Sequence, residues 1–182
     1  MSLPADDATL VARAIAGDRA AFVELFRHHG PAVAKLTRAY RAPASETEDI
    51  VQEVFLAAWR CLADYDPQRP FRAWLFAIAL NRVRDMARRR KVRAFFFGAT
   101  ELDEGAHQVG GELPDPETQT HHRRALEQVS RRLDGLPEDL RTALVLTAVT
   151  GLSYQEAAIS LNITVKALEG RIARARKRLS VP

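Results

Sequence analysis

Apolar residues recur at helical spacing along almost the whole chain, and no segment alternates convincingly as a strand would. The clearest stripe is Ile50, Val51, Val54, Phe55, Ala58, Trp59 and Leu62, a wide apolar face. A chain patterned this way buries its apolar surface by packing helix on helix, so the predicted fold class is all-α. The spacing predicts helices over Asp6–Ala16, Asp18–Tyr40, Ser45–Leu62, Phe71 to about Lys91, His121–Leu133 and Pro137–Val149, then a short pair ending at Leu179. Pro31 should kink or split the second of these, because it lacks a backbone donor. Ser45-x-x-Glu48 has the form of a capping box opening the third. Trp74, Leu75, Ile78, Ala79, Val83 and Met86 should face inward from the fourth.

One stretch breaks the rule. Residues 94–119 hold clustered glycines, the run Glu-Leu-Pro-Asp-Pro-Glu, and little periodicity beyond Phe95–Phe97. From Ala94 to Thr120 there are six acids and no Lys or Arg, and like charges keep such a segment extended. The expected organisation is two small helical domains, 1–93 and 120–182, joined by a flexible acidic linker, 94–119. Whether the phenylalanine run docks on a domain is left open by the sequence.

Charge is distributed unevenly. The formal net charge of +4 is modest, but seven basic residues fall between Arg82 and Arg93 and six between Lys166 and Arg178. Two basic clusters flanking an acidic spacer suggest two contacts with a polyanion; a solvated helix face explains either cluster alone equally well. Cys61 is the single cysteine, which excludes an internal disulfide and a cysteine-built zinc site. No apolar run reaches the roughly 20 residues of a membrane span, and the acidic N-terminus lacks the layout of a signal peptide. The expected location is the cytoplasm, without membrane insertion.

The C-terminal pair, Gly151–Leu179, reads as a helix-turn-helix. Ser153-x-x-Glu156 is a capping box, and Ala157, Ala158 and Leu161 should face inward. Asn162 stands where a left-handed turn residue is needed, Ile163 fills the angle, and Thr164 can cap the second helix. Val165 and Leu168 should anchor that helix, leaving Lys166, Glu169, Gly170, Arg171, Ala173 and Arg174 on or near a face suited to the major groove. Arg176, Lys177 and Arg178 lie further along, placed for phosphates. A helical hairpin with a charged surface is the plainer alternative.

In the first half, Glu46, Asp49, Gln52 and Glu53 lie opposite the apolar stripe, a face that composition alone makes merely solvated. A proline-bounded loop, Asp66, Pro67, Gln68, Arg69 and Pro70, leads into Phe71 and Trp74. Asn81, Arg82, Arg84, Arg88 and Arg89 follow on the same helix. Aromatics beside a basic helix can stack on unpaired bases, or simply fill a small core.

The runs EDIVQEVFLAAWR, FRAWLFAIALNRVRDMARRR and LPEDLRTALVLTAVTGLSYQEAAISLNITVKALEGRIARARKRL, in this order, resemble bacterial RNA polymerase sigma factors of the extracytoplasmic-function type, which have only sigma regions 2 and 4. The resemblance covers roughly Asp18–Arg90 and Arg124–Leu179. It implies that Asp49, Gln52 and Glu53 bind the coiled coil of the polymerase β′ clamp. It implies that Asp66 to Phe71, with Trp74 and Asn81, read and open the −10 promoter element, with Arg84, Arg88 and Arg89 on phosphates. The C-terminal helix would read the −35 element, and that domain would meet the β flap. The acidic linker would thread toward the RNA exit path. Core polymerase, promoter DNA and an anti-sigma factor are the implied partners. This chain departs from the family where Lys or Arg and then Ser are frequent and it has Glu169 and Gly170. A carboxylate there can accept a hydrogen bond from cytosine N4.

A stand-alone helix-turn-helix regulator is the alternative; it accounts for the C-terminal unit but not for the acidic face and aromatic-basic helix of the first. An enzyme is a weaker rival. His28-His29 and His121-His122 place adjacent rings on different sides of a helix, and no third ligand has metal-site spacing. No nucleophile–base set or phosphate loop is evident, so a non-enzymatic role with no cofactor is expected.

Overall fold

A computed structural model describes residues 6–97 and 132–180, and every regular element among them is helical. An N-terminal group contains α1 (Asp7–Ile15), α2 (Arg19–Ala39), α3 (Ala44–Arg60) and α4 (Phe71–Phe97), with a short 3₁₀ turn at Leu62–Asp64. A C-terminal group contains α5 (Glu138–Leu144), a π-helical turn (Val145–Val149), α6 (Tyr154–Ser160) and α7 (Val165–Ser180). Residues 98–131 lie outside the description, and with them most of the expected linker, His121 and His122.

Local chemistry sets most of the boundaries. Asp6 caps α1 by accepting from the Thr9 N–H at 2.8 Å, and Asp18 caps α2 by accepting from Ala20 and Ala21. Gly17, at φ +95°, makes the turn between them. Helix α2 runs unbroken through Pro31, so the proline does not split it. The expected capping box at Ser45 is not made. Pro43, already extended at ψ 147°, starts α3 at Ala44, which puts Ser45 inside the first turn. Helix α4 outlasts its predicted end near Lys91 because Arg and Lys are good helix formers and Gly98 is the first breaker. Residues 94–97 are therefore helix rather than linker. Phe95 and Phe96 are 85% and 72% exposed and stack edge-on against each other.

In the N-terminal group, Leu10, Leu25, Val33, Leu36, Val54, Phe55, Leu75, Ala79 and Val83 form the centre, from all four helices. In the C-terminal group, Leu146, Ala157, Ala158, Leu168 and Ile172 do the same. The two groups also pack on each other, a contact that no pattern in the sequence marks, and their buried side chains form one continuous core. Arginines and hydroxyls ring this seam. The Arg72 guanidinium donates to the Thr150 carbonyl at 2.7 Å, and the Ser160 hydroxyl proton lies between the Glu156 carbonyl at 2.8 Å and the Ala73 carbonyl at 2.9 Å. Arg84 Nε lies 2.7 Å from Glu138 Oε1. Arg141 reaches the Ala39 carbonyl, pairs with Asp134 at 3.1 Å and covers the Tyr40 ring at 4.9 Å. Arg41 also pairs with Asp134.

Thr142 sits at the middle, fully buried. Its one hydroxyl proton goes to the Glu138 carbonyl at 2.7 Å, so at its 2.7 Å contact with Tyr40 the phenol is the donor. Thr147 and Thr150 bond back to carbonyls four residues earlier, a habit that perturbs helices, and the backbone here widens into the π turn.

Candidate functional site

Three exposed surfaces carry the residues singled out from the sequence. The first is the outer face of α3. Asp49, Gln52 and Glu53 are all exposed there, as expected. Glu53 is not free: Arg82 of α4 donates to its Oε2 through both Nε and Nη2. Leu56, one turn on and 54% exposed, extends this face with an apolar side chain. Sequence reasoning missed it, although an exposed leucine beside carboxylates is a feature of many docking surfaces.

The second surface surrounds the 66–70 loop. Asp66 to Pro70 are exposed, while Phe71 is buried and Trp74 half-buried. The aromatics therefore serve the core in part. Tyr65, Phe71 and Trp74 form a cluster with ring centroids 5.2–5.8 Å apart. The loop is folded on itself: Asp66 Oδ1 accepts from the Gln68 N–H at 2.9 Å, and the Arg69 N–H donates to the Asp66 carbonyl at 3.0 Å. Asn81 is exposed, and its side chain makes no hydrogen bond among the described residues. Arg88 pairs with Asp85 and Arg89 projects into solvent. Arg84 points the other way, into the seam. Tyr65 was overlooked because an aromatic reads as ordinary core, and His29, weighed only within the His28-His29 pair as a surface feature, is buried instead.

His28 and His29 both approach Asp7 of α1, His29 Nε2 at 2.8 Å and His28 Nδ1 at 4.0 Å. The His29 hydrogen bond, outweighing the opposing effect of burial, holds the Asp7 carboxyl below its ordinary value.

The third surface is α7. Asn162 adopts φ +53°, the left-handed turn its position demanded, and Thr164 Oγ1 accepts from the Ala167 N–H at 3.1 Å. Both limbs of the Ser153–Glu156 capping box are present. Val165 is a correction. It is 39% exposed, because the first turn stands clear of the packed helices, and Leu168, Ile172 and Ala175 anchor α7 instead. Lys166, Glu169, Gly170, Ala173, Arg174, Arg176, Lys177 and Arg178 are all exposed. Arg171 is drawn toward Asp139 of α5 at 3.7 Å, off the reading face. A Cβ on Gly170 would meet nothing within 4 Å, so no packing need explains a residue that costs a helix about 1 kcal/mol relative to Ala. The open backbone there suits close approach by a ligand. Pro137, Asp139, Leu140, Arg174, Lys177 and Arg178 line a cleft of about 360 Å³ beside this face.

Residues 25–93 match the Sigma-70 region 2 family, and residues 126–179 match Sigma-70, region 4. The chain is 47% identical to the RNA polymerase sigma factor CnrH of Cupriavidus metallidurans over 96% of its own length and 92% of that protein. It is 34% identical to the ECF RNA polymerase sigma-E factor of Escherichia coli, covering 97% of this chain and 94% of that one. Among solved structures, CnrH in complex with the cytosolic domain of CnrY superposes with a TM-score of 0.73 at 39% identity, over 96% of this chain and 94% of that one. The sigma factor RpoE of Bartonella quintana, in complex with the anti-sigma factor NepR, gives 0.65 at 25% identity, over 87% and 93%.

Proposed function

Because this chain belongs to the extracytoplasmic-function family of RNA polymerase sigma factors, we propose that its three exposed surfaces divide the work of starting transcription. As a sigma factor it binds core polymerase and directs it to promoters. In our reading Asp49, Gln52 and Glu53, with Leu56, dock the chain on the β′ clamp coiled coil. The 66–70 loop with Phe71, Trp74 and Asn81 reads the −10 element, and Arg88 and Arg89 hold its phosphates. Asn81 carries a donor and an acceptor suited to one base edge. Helix α7 reads the −35 element in the major groove, with the β flap beside it. The chain supplies address and strand opening, in the cytoplasm, and polymerase supplies the chemistry. An anti-sigma partner is extended to this chain from the Bartonella complex.

The observation that carries this reading is the exposed face of α7 behind the left-handed Asn162 turn. Run-off transcription with core polymerase, beside duplex binding by the chain alone, tests it. The isolated chain should bind promoter duplex weakly and with steep salt dependence. Nanomolar binding of one site in physiological salt without polymerase would favour a stand-alone regulator.

Reading and holding should separate on α7. Arg174→Ala should relax preference at particular −35 bases, by about 1–3 kcal/mol if the guanidinium makes a bidentate base contact. Arg178→Ala should weaken all sequences alike and flatten the salt slope by about one unit. Binding of the holoenzyme to a panel of base-substituted −35 sites checks this, and identical effects from the two changes would contradict the division.

A further inference from the structure

We infer that Tyr65 is a positioning residue for −10 reading, bracing the 66–70 loop from beneath, and that the Asp7–His29 pair supports the same brace from behind. The inference rests on the assignment of that loop to the −10 element.

The Tyr65 ring is buried, yet its hydroxyl donates to the carbonyl of Arg69, across the loop and four residues on. The loop's two turns, Asp66 to Gln68 and Asp66 to Arg69, are thereby fixed to the core instead of only to each other. The phenol stays a donor: burial, and then the charges of Asp66 and Asp7, push its pKa above the ordinary value. The far end of the loop is fixed too. The Trp74 N–H donates to the Pro70 carbonyl at 3.2 Å, and Phe71 is gripped between Tyr65 at 5.8 Å and His29 at 5.6 Å. His29 is in turn held by Asp7 at 2.8 Å. A path of direct contacts thus runs from the first helical residue of α1, through α2, to the backbone of an exposed loop.

An exposed loop of five residues gains little from such a brace in stability, because the Arg69 carbonyl can turn to water. It gains in shape. A pocket that must discriminate among bases loses selectivity when its walls can adjust to each of them. Proline at both Pro67 and Pro70 restricts the loop's dihedrals; the hydroxyl restricts where the loop as a whole sits.

Tyr65→Phe removes the hydroxyl and keeps the ring. Holoenzyme carrying this change should be assayed on pre-opened templates and on single-stranded oligonucleotides with each base in turn at the −10 positions. Discrimination between preferred and substituted bases should fall about three- to tenfold, the range of one net hydrogen bond. Core affinity, −35 binding and thermal stability should stay close to wild type. Asp7→Ala should act in the same direction and more weakly, through His29 and Phe71. Gln68→Ala and Arg69→Ala are the controls on the loop itself. If these alter −10 preference and Tyr65→Phe does not, the brace is overturned and Tyr65 is only a core residue. If neither loop change alters preference, the loop assignment fails and the brace with it. If Tyr65→Phe acts and Asp7→Ala lowers stability alone, the extension to α1 is overturned.

Discussion

Core polymerase should no longer co-purify with the chain once Asp49 and Glu53 are both reversed to lysine. Both side chains are exposed on the outer face of α3, so neither contributes to the core. On a partner surface of complementary, basic charge each reversal replaces an attraction with a like-charge contact, and such contacts cost several kcal/mol. Two together should weaken core binding by at least about a hundredfold. The folded chain should hardly notice. Among the described residues the one interaction lost is the Glu53–Arg82 pair, whose side chains are 46% and 35% exposed; such pairs are worth about 0–1 kcal/mol. Pull-down with core polymerase, beside thermal unfolding of the isolated chain, separates the two effects. Undiminished co-purification would remove α3 as the docking face. A large drop in melting temperature would mean that the face is structural after all.

The second large effect concerns the seam. The −10 and −35 elements lie about 25 base pairs apart, which at 3.4 Å per pair is on the order of 85 Å. A compact chain of this length has a radius of gyration of about 16 Å. With the two helical groups packed together, α7 and the 66–70 loop cannot reach both elements at once. If the 66–70 loop and α7 read those elements as proposed, the seam opens when the chain sits on a promoter. Arg141 is the residue whose loss should open it furthest. It is mostly buried, donates to the Ala39 carbonyl, pairs with Asp134 and covers the Tyr40 ring. A hydrogen bond from a charged donor and a cation–π contact together contribute about 2–4 kcal/mol. Arg141→Ala should then move the equilibrium toward separated groups by roughly a hundredfold. Small-angle scattering of the isolated chain should show a larger radius of gyration. Identical scattering from wild type and variant would show that Arg141 does not hold the seam.

What could be read from the sequence was what local chemistry decides. Asn162 takes its left-handed turn and Ser153–Glu156 its capping box because each depends on neighbours within a few residues. The Ser45 box failed on the same scale, because Pro43 fixes the start of α3 one residue early. The all-α class and the exposure of the α3 and α7 faces followed from periodicity. The seam did not. Tyr40 meets Thr142 across 102 positions, and nothing in either segment marks the other as its partner. For the same reason nothing singled out Arg72 or Arg141, and Arg84 was assigned to phosphates, although each has an acceptor on the opposite group. The brace under the 66–70 loop was hidden differently: buried aromatics are expected in any helical core, and only the direction of the Tyr65 hydroxyl gives it a second role.

Arg84 belongs by sequence to the basic run assigned to promoter phosphates, and by structure to Glu138 and Thr142. One guanidinium cannot neutralise a phosphate and a carboxylate on opposite sides of its helix at the same time. If Arg84 takes a −10 phosphate, as the family resemblance implies, closure of the chain and grip on the −10 backbone are rival claims on a single cation. Such rivalry is reciprocal: the factor by which promoter phosphate weakens the seam is the factor by which the closed seam weakens phosphate binding. Glu138, which never touches DNA in this scheme, then acts as a phosphate surrogate. On that assignment, a sigma factor built this way withholds one of its own DNA contacts until something else has drawn its two halves apart.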